Sequence, residues 1–430
     1  MSQPHAPSPE MEQPSPSGPH TPAASFSEAF AALPVAKIEE YLCADGSDPA
    51  KMRVTHPQRT PFHDGFNGEA EVDDDGDSWA SFLSRQPPVP RPTCDSTVQV
   101  KAVAAAITHV VVGPLVPPAV RPSTWPTADV SVRDLHRKTF RGHTRAVYGC
   151  AFAPGGEQFV TASRDKSVRV WNVADGTDRV MQGDDDSGYV LSCDFSPDDE
   201  TVVSSSVDGT VRLWSASTCK HLHKLKGHGG TKAYCTQFSP SGAHVLSGGC
   251  DRKVRVWNTL TATQVARLNG HLLAVFSCCF SNTDGGKYCL SGSDDCMIKM
   301  WDWRETREVR TLCGHGGTVW SCRFSNSDRY IISATMNHEL KLWDAGSGQL
   351  IHNFVGHHAP THHALFTGND KYVLSCARDR TVMVWETETG RHVDTLTGHT
   401  DSVCNMDIQG NMLLTASLDE TVQLWQLNLP

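Results

Sequence analysis

The chain has no excess of positive charge and no long hydrophobic run. Its 38 Lys and Arg are outnumbered by 48 Asp and Glu, which gives a formal net charge of −10 at pH 7. Binding to nucleic acid through phosphate contacts needs a basic surface, so this function is not favoured. The most apolar stretch, residues 102–112, is too short to span a bilayer and contains His109. We therefore expect a soluble protein without a membrane segment.

Proline is scarce in the second part of the chain. Of the 25 prolines, 20 precede residue 127 and five follow it. The first part is also rich in Ser, Ala and Asp, and we expect residues 1–127 to be a mostly disordered arm. Two segments of it, residues 25–42 and 73–83, place apolar side chains at helical spacing. Two interpretations remain open: these segments dock into a partner's groove, or they pack on their own chain or stay disordered.

Cysteine is plentiful, but its placement does not indicate disulfides. A position two residues before a Phe is Cys in four repeats and Thr or Ala in two others, which is typical of packing rather than of metal or disulfide chemistry. The first 20 residues are polar and contain no apolar signal segment. We expect reduced thiols in an intracellular protein, either cytoplasmic or nuclear. The four cysteines are Cys150, Cys193, Cys278 and Cys322.

Tryptophan recurs at almost even intervals. Seven of these residues are separated by steps of 43, 43, 44, 42, 42 and 40 residues. A period of about 40–45 residues predicts four short strands per unit, arranged as the blades of a propeller. The expected fold class is therefore all-β, with a seven-bladed β-propeller in residues 128–430. The repeated residues are Trp171, Trp214, Trp257, Trp301, Trp343, Trp385 and Trp425.

Two further motifs recur in register with the tryptophans. A Gly-His pair opens six repeats, at His143, His228, His271, His315, His357 and His399. An acidic residue stands six positions before all but one of the tryptophans, at Asp165, Asp208, Asp251, Asp295, Asp379 and Asp419. This pattern resembles the WD-repeat family over about 300 residues.

The resemblance implies a buried set of four hydrogen-bonded side chains in each blade. A buried carboxylate needs partners, and a His, a hydroxyl and a Trp N–H supply them. The expected complete sets are His143, Ser163, Asp165 and Trp171; His271, Ser293, Asp295 and Trp301; and His399, Ser417, Asp419 and Trp425.

Some repeats depart from this pattern. Repeat two has acidic residues at 184–186 in place of Gly-His, and repeat five has Asn337 in place of the turn Asp. Gly249 and Ala377 stand where the hydroxyl residue is expected. These blades are expected to depend more on packing.

The repetition of His, Ser and Asp argues against an enzyme. A catalytic triad needs one unique nucleophile, whereas these residues recur in many copies and no GxSxG motif is present. The His pairs at 357–358 and 362–363 have no nearby Cys or carboxylate ligands, so neither a metal nor another cofactor is expected. The resemblance also implies that a strand over residues 130–140 completes the last blade and joins the two ends of the ring, which removes an exposed edge.

The channel mouth is the expected partner-binding region. The resemblance places there the residue four before each first-strand Phe, and six of the seven are bulky. Two interpretations remain open: these side chains bind a peptide, or they plug the channel. They are Tyr148, Leu191, Tyr234, Phe276, Trp320 and His362, with Cys404 in the last repeat. The residues before the turn acids add Arg164 and Arg378.

One repeat carries a further motif. Its sequence Trp301-Asp302-Trp303-Arg304 resembles the W-D-x-R box of WD-repeat substrate receptors for cullin-4 ubiquitin ligases, in which the Arg contacts the ligase adaptor. This makes Asp302 and Arg304 candidate adaptor contacts. The leading prediction is a non-enzymatic scaffold or adaptor that binds proteins. A cullin-4 substrate receptor is the first alternative, and a subunit of an RNA-processing, ciliary or signalling assembly is the second.

Overall fold

The protein is described by a computed structural model, which covers residues 135–181 and 188–429 of the 430-residue chain. These residues form seven four-stranded antiparallel sheets and contain no helix. The seven-bladed β-propeller expected from the repeats is confirmed. The expected arm, residues 130–134 of the expected closing strand and the acidic positions 184–186 lie outside the described residues.

Each sheet is one blade whose strands run in order from the channel to the rim. The first strands are β2 (Val147–Phe152), β6 (Val190–Phe195), β10 (Ala233–Phe238), β14 (Val275–Phe280), β18 (Val319–Phe324), β22 (Thr361–Phe366) and β26 (Val403–Gln409). The second strands are β3 (Gln158–Ser163), β7 (Thr201–Ser206), β11 (His244–Gly249), β15 (Tyr288–Ser293), β19 (Tyr330–Thr335), β23 (Tyr372–Ala377) and β27 (Met412–Ser417).

The third strands carry the repeated tryptophans. They are β4 (Val168–Asn172), β8 (Thr210–Ser215), β12 (Lys253–Asn258), β16 (Ile298–Asp302), β20 (Leu340–Asp344), β24 (Thr381–Glu386) and β28 (Val422–Gln426). The outermost strands are β5 (Asp178–Met181), β9 (His221–Lys226), β13 (Gln264–Asn269), β17 (Arg307–Leu312), β21 (Leu350–Phe354), β25 (His392–Thr397) and β1 (Leu135–Phe140).

The hydrophobic core lies between neighbouring blades. One cluster joins Val160 and Val170 of the first blade to Phe195 and Trp214 of the second, and each of these side chains is buried. The first and second strands are covered on both faces, which explains their short runs of apolar and small residues. The outermost strands alternate buried and exposed side chains because they face solvent on one side.

The first and last strands of the described chain close the ring. β1 pairs antiparallel with β28, from Leu135 opposite Gln426 to Phe140 opposite Val422. Phe140 is 3% exposed and packs edge-on against Phe159 of the first blade at 4.7 Å between ring centroids. The last blade therefore has four strands like the others, and the edge of β28 is paired.

Side chains on the first strands also link one blade to the next. The backbone N–H of Phe152 donates to Asp407 at 2.7 Å, and that of Phe238 donates to Asp194 at 2.8 Å. The N–H of Phe280 donates to Gln237 at 2.9 Å. These bonds satisfy backbone groups at the inner wall, where no strand of the neighbouring sheet can pair with them.

Candidate partner-binding face

A chain of hydrogen bonds runs through the first blade. Trp171 Nε1 donates to the Thr161 hydroxyl at 2.8 Å, and this hydroxyl lies 2.7 Å from His143 Nε2. His143 Nδ1 lies 2.7 Å from a carboxylate oxygen of Asp165. Because a carboxylate only accepts hydrogen bonds, we assign the ring proton to Nδ1, which donates to Asp165. Nε2 of the neutral ring then accepts from the Thr161 hydroxyl. Burial alone would raise the pKa of Asp165, but the bonds from His143 and Ser167 outweigh it and hold that pKa well below its usual value.

The expected position of the hydroxyl was wrong by two residues. The hydroxyl that joins Trp to His comes from Thr161, Ser291 and Thr415, not from Ser163, Ser293 and Ser417. Ser163 instead donates to the carbonyl of Ala146 at 2.9 Å and accepts from the N–H of Asp165 at 3.1 Å. Residues two apart on a strand share one face, so the repeat pattern does not distinguish the two candidate hydroxyls. How deeply the Trp ring lies in the blade decides which of them its N–H reaches.

The same shift corrects two blades that were expected to lack a hydroxyl. Ser247 and Ser375 hold that place, so Gly249 and Ala377 remove nothing from the sets. The six complete sets are His143, Thr161, Asp165 and Trp171; His228, Ser247, Asp251 and Trp257; His271, Ser291, Asp295 and Trp301; His315, Ser333, Glu339 and Trp343; His357, Ser375, Asp379 and Trp385; and His399, Thr415, Asp419 and Trp425.

The fifth blade uses a glutamate that the repeat pattern missed. Asn337 occupies the turn position, and Glu339, two residues later, accepts from His315 Nδ1 at 3.0 Å. Burial alone would raise the pKa of Glu339, but His315, Gly316 and Lys341 lower it to about 2. The carboxylate thus comes from two residues after the turn position, and a search restricted to the turn position does not find it.

The second blade has no His partner among the described residues. Trp214 still donates to Ser204 at 2.8 Å, and the carboxylate of Asp208 accepts from Arg212 at 2.7 Å. The arginine replaces the hydrogen bond that the other turn carboxylates receive from His, which explains how this carboxylate stays satisfied.

A backbone motif defines one face of the propeller, here called the top. In every blade the N–H of the residue before the turn position donates to the carbonyl just before the first strand, at 2.8–3.1 Å, as from Arg164 to Ala146 and from Met336 to Thr318. The loops that carry the His residues and the turn carboxylates lie at this same end. The hairpins between first and second strands lie at the opposite end, called the bottom.

Each first strand also has a β-bulge at its second residue. The register shifts there in all seven blades, as between Val147 and Gly149, so that this residue has no partner in the ladder. A bulge turns a side chain away from the regular alternation. The bulged residues form what we call the bulge ring: Tyr148, Leu191, Tyr234, Phe276, Trp320, His362 and Cys404.

The bulge ring is not equally available around the channel. Tyr148, Leu191, Tyr234, His362 and Cys404 are each less than 10% exposed, whereas Phe276 and Trp320 are half-buried. Ring contacts join neighbouring blades, with centroids 4.4 Å apart between Tyr234 and Phe276 and 4.7 Å apart between Trp320 and His362. Burial, followed by the charge of Arg378, lowers the pKa of His362 to about 3, so its ring is neutral near pH 7. The accessible aromatic surface therefore belongs to blades four and five.

Charged groups lie around the ring at the position before each turn carboxylate. Arg164 of the first blade stacks on Tyr189 at 5.2 Å, and Arg378 of the sixth blade is exposed. Asp294 of the fourth blade accepts a hydrogen bond from Thr318 of the fifth. The mouth is thus basic over blades one and six and acidic over blade four.

Two exposed leucines on this face were missed by the sequence argument. Leu272 and Leu273 directly follow the His of the fourth repeat, and their side chains are 74% and 39% exposed. The signal was present in the sequence, since the other five His residues are followed by small, polar or charged pairs such as Thr144-Arg145 and Gly229-Gly230. Exposed apolar side chains at a position that is otherwise hydrophilic are characteristic of an interaction surface.

The W-D-x-R box lies at the bottom. Asp302 is 2% exposed and accepts from the N–H of Glu305 at 3.3 Å, so it has no surface to offer an adaptor, and its prediction as a contact was wrong. Trp303 is also buried and donates to the carbonyl of Gly286 at 2.7 Å. Arg304 is exposed, stacks on Trp303 at 5.1 Å and lies 3.3 Å from the carbonyl of Gly285.

The histidines that raised the question of a metal have separate environments. His357 belongs to the sixth polar set, His362 stacks on Trp320, and His363 lies 3.5 Å from Arg323. Within residues 135–181 and 188–429, no group of three His, Cys, Asp or Glu side chains is placed to hold a metal ion. In the same part of the chain, no helix is long and apolar enough to cross a membrane.

Seven blades, six of which carry the complete polar set, define the class of the protein as a WD-repeat propeller. The family described as WD domain, G-beta repeat (WD40) matches residues 135–172, 178–215, 219–258, 262–302, 306–344, 348–386 and 390–426. These segments cover more than half of the chain, which therefore belongs to the WD40 family. Its propellers generally mediate protein–protein interactions and are typically not catalytic. A search of curated proteins finds no match to the chain.

Proposed function

We propose that this protein is a non-enzymatic scaffold that binds a partner protein over the top of its channel. The observation that supports the proposal is the bulge ring, where seven bulges aim one side chain each at the mouth and two aromatic residues, Phe276 and Trp320, remain accessible. Aromatic side chains held rigidly in a ring lose little entropy on binding and dominate the energetics of many interfaces. Arg164 and Arg378 add charged contacts at the edge of the same surface.

Quantitative affinity purification of the full-length chain from cells tests this proposal. We expect Phe276→Ala/Trp320→Ala to recover its partners at least about 10-fold less well than wild type, because hot-spot truncations cost about 2 kcal/mol or more. The control Leu222→Ala/Val265→Ala removes two exposed side chains from outermost strands, 46% and 47% exposed, and is expected to retain the partners. Arg378→Glu is the second top-face variant, which changes one exposed side chain and leaves the aromatic packing intact. Undiminished partner recovery by both top-face variants would refute the proposal.

A second candidate function is that of a cullin-4 substrate receptor. The exposed guanidinium of Arg304 at the bottom face supports it, since this group is rigidly placed by Trp303 and retains several N–H donors for a partner. Arg304→Ala should then lose the ligase adaptor in a pull-down while keeping partners bound at the top. Equal adaptor recovery by wild type and variant, or none by either, removes this candidate.

We also propose that residues 1–127 form an arm separate from the propeller of residues 128–430, and that segments 25–42 and 73–83 bind partners. Their apolar residues at helical spacing support the proposal. Affinity purification with the full chain and with residues 128–430 compares their partners. A subset of partners lost with the arm is the expected result, and identical partner sets would contradict the arm's role.

A further inference from the structure

Exposed apolar side chains on the top face are concentrated on two blades. Ten large hydrophobic residues in the described part of the chain are exposed, and most of them lie on outermost strands or in bottom turns. Four lie in loops at the top: Leu272, Leu273 and Met336, which are 74%, 39% and 46% exposed, and Val355, which is 71% exposed and directly follows the outermost strand β21 at the rim. The first three belong to blades four and five, where the loop after His271 and the end of β19 meet the channel mouth.

These residues continue the accessible part of the bulge ring. Phe276 lies four residues after Leu272, at the bulge of β14, and Trp320 lies at the corresponding bulge of β18. The N–H of Met336 donates to the carbonyl of Thr318 at 3.1 Å, which holds Met336 beside the start of β18. The five side chains Leu272, Leu273, Phe276, Trp320 and Met336 are here called the blade 4–5 patch.

A carboxylate stands between the leucine loop and the fifth blade, beside the patch. Asp294 is half-buried, and its N–H donates to the carbonyl of Ala274 at 2.9 Å, which places it between the leucine loop and the fifth blade. One oxygen of its carboxylate accepts from the Thr318 hydroxyl, which fixes the side chain, and the second oxygen has no hydrogen-bond partner among residues 135–181 and 188–429. Among the seven residues that precede the turn position, Asp294 is the one with negative charge; the set is Arg164, Val207, Cys250, Asp294, Met336, Arg378 and Leu418.

We propose that the blade 4–5 patch binds an extended segment of a partner protein in which a large apolar side chain lies next to a Lys or Arg. This proposal rests on the proposed function and specifies where and what the channel mouth binds. The apolar side chain packs against Phe276 and Trp320 beneath the exposed leucines, and the basic group pairs with Asp294. The apolar contacts contribute affinity, and the carboxylate of Asp294 favours a partner with a basic side chain at the neighbouring position.

Selection from a displayed library of random 12-residue peptides on the full-length chain tests this proposal. Enriched peptides should combine a large apolar residue with a neighbouring Lys or Arg. Their affinity should fall at least about 10-fold in Leu272→Ser/Leu273→Ser and about 3-fold in Asp294→Asn, which removes one partly exposed ion pair. The matched control is Leu260→Ser, which changes an 87% exposed leucine in a turn away from the top face.

The remaining outcomes each contradict the proposal. Enriched peptides that bind the leucine variant as tightly as wild type place the site elsewhere, and an acidic consensus reverses the charge selection. Competition for the patch by a synthetic peptide of residues 73–83, which is acidic, would also contradict the proposal. So would a dimer of the chain that Leu272→Ser/Leu273→Ser separates. Failure to enrich any peptide also overturns it. The proposed scaffold function is judged separately, by the partners that the Phe276 and Trp320 variant loses from cells.

Discussion

At the scale of single residues, one hydroxyl in each of six blades satisfies two buried groups, a Trp N–H and a His nitrogen. In the fourth blade the Ser291 side chain accepts from Trp301 Nε1 at 2.8 Å and lies 2.7 Å from His271 Nε2. Ser293, on the same face of the strand, bonds to backbone groups in the loop instead. Two serines in one strand therefore make different contributions to stability.

We predict that Ser291→Ala lowers the free energy of unfolding by about 2–4 kcal/mol. The reason is that it leaves a Trp N–H and a His nitrogen buried without partners, each at a cost of about 1–3 kcal/mol. Ser293→Ala, the matched control, should cost about 1 kcal/mol. Urea unfolding followed by tryptophan fluorescence measures both. A larger loss for Ser293→Ala than for Ser291→Ala would mean that the original assignment of the hydroxyl was right.

Two carboxyl groups on the inner wall titrate near neutral pH. Burial raises the pKa of Asp194 to about 7 and that of Asp407 to about 6, although each accepts a backbone N–H and Arg323 lies nearby. An unfolded Asp titrates near pH 3.9. Between these values the folded chain binds more protons than the unfolded chain, so these groups reduce stability as the pH rises through this range.

We predict that Asp194→Asn reduces the loss of stability as the pH rises from about 5 to 7. The amide keeps an acceptor for Phe238 but does not titrate, and one such carboxyl contributes a slope of at most about 1.4 kcal/mol per pH unit. Denaturant unfolding across this range measures the slope. Asp344→Asn is the control, because hydrogen bonds from Ser347 lower the pKa of Asp344 and it stays ionised throughout. An unchanged slope in Asp194→Asn would contradict the assignment.

At the scale of strands, closure of the ring depends on β1. This strand completes the last blade by pairing with β28, and its Phe140 packs between Phe159 and Trp171 of the first blade. Its side chain therefore links the last blade, to which β1 belongs, to the first blade.

We predict that Phe140→Ala lowers the free energy of unfolding by about 3–5 kcal/mol, as expected for a buried aromatic side chain. Leu222→Ala, on the outermost strand of the second blade, should change it by less than about 0.5 kcal/mol because that side chain is 46% exposed. Chemical unfolding and size-exclusion chromatography compare the two. Equal losses would show that β1 does not close the ring.

The sequence predicted the strands better than the details of the site. The tryptophan period and the alternation within each repeat determine seven four-stranded blades, because both follow from the geometry of the sheet. The bulges were not predictable, since a one-residue register shift leaves no mark in composition. Glu339 and the hydroxyl at Thr161 were missed because side-chain length and depth, rather than position in the repeat, decide which group reaches the His.

At the scale of the whole molecule, stability and binding are separated in space. The polar sets and the clusters between blades hold the ring together, while the exposed apolar residues at the top contact little of it. We predict that Leu272→Ser/Leu273→Ser keeps the melting temperature within a few degrees of wild type, as surface changes usually do, while it loses its peptide ligand. Scanning calorimetry alongside peptide binding measures both properties. A large drop in melting temperature would assign these leucines to the core instead.

Hydrogen–deuterium exchange on the full chain, with and without the partner recovered most abundantly from cells, tests the central claim most directly. The account predicts protection of the loop after His271 and of the first residues of β14 and β18. It predicts no change in the bottom hairpins, including residues 282–287. Protection confined to the bottom hairpins or to the outermost strands would contradict binding at the channel mouth.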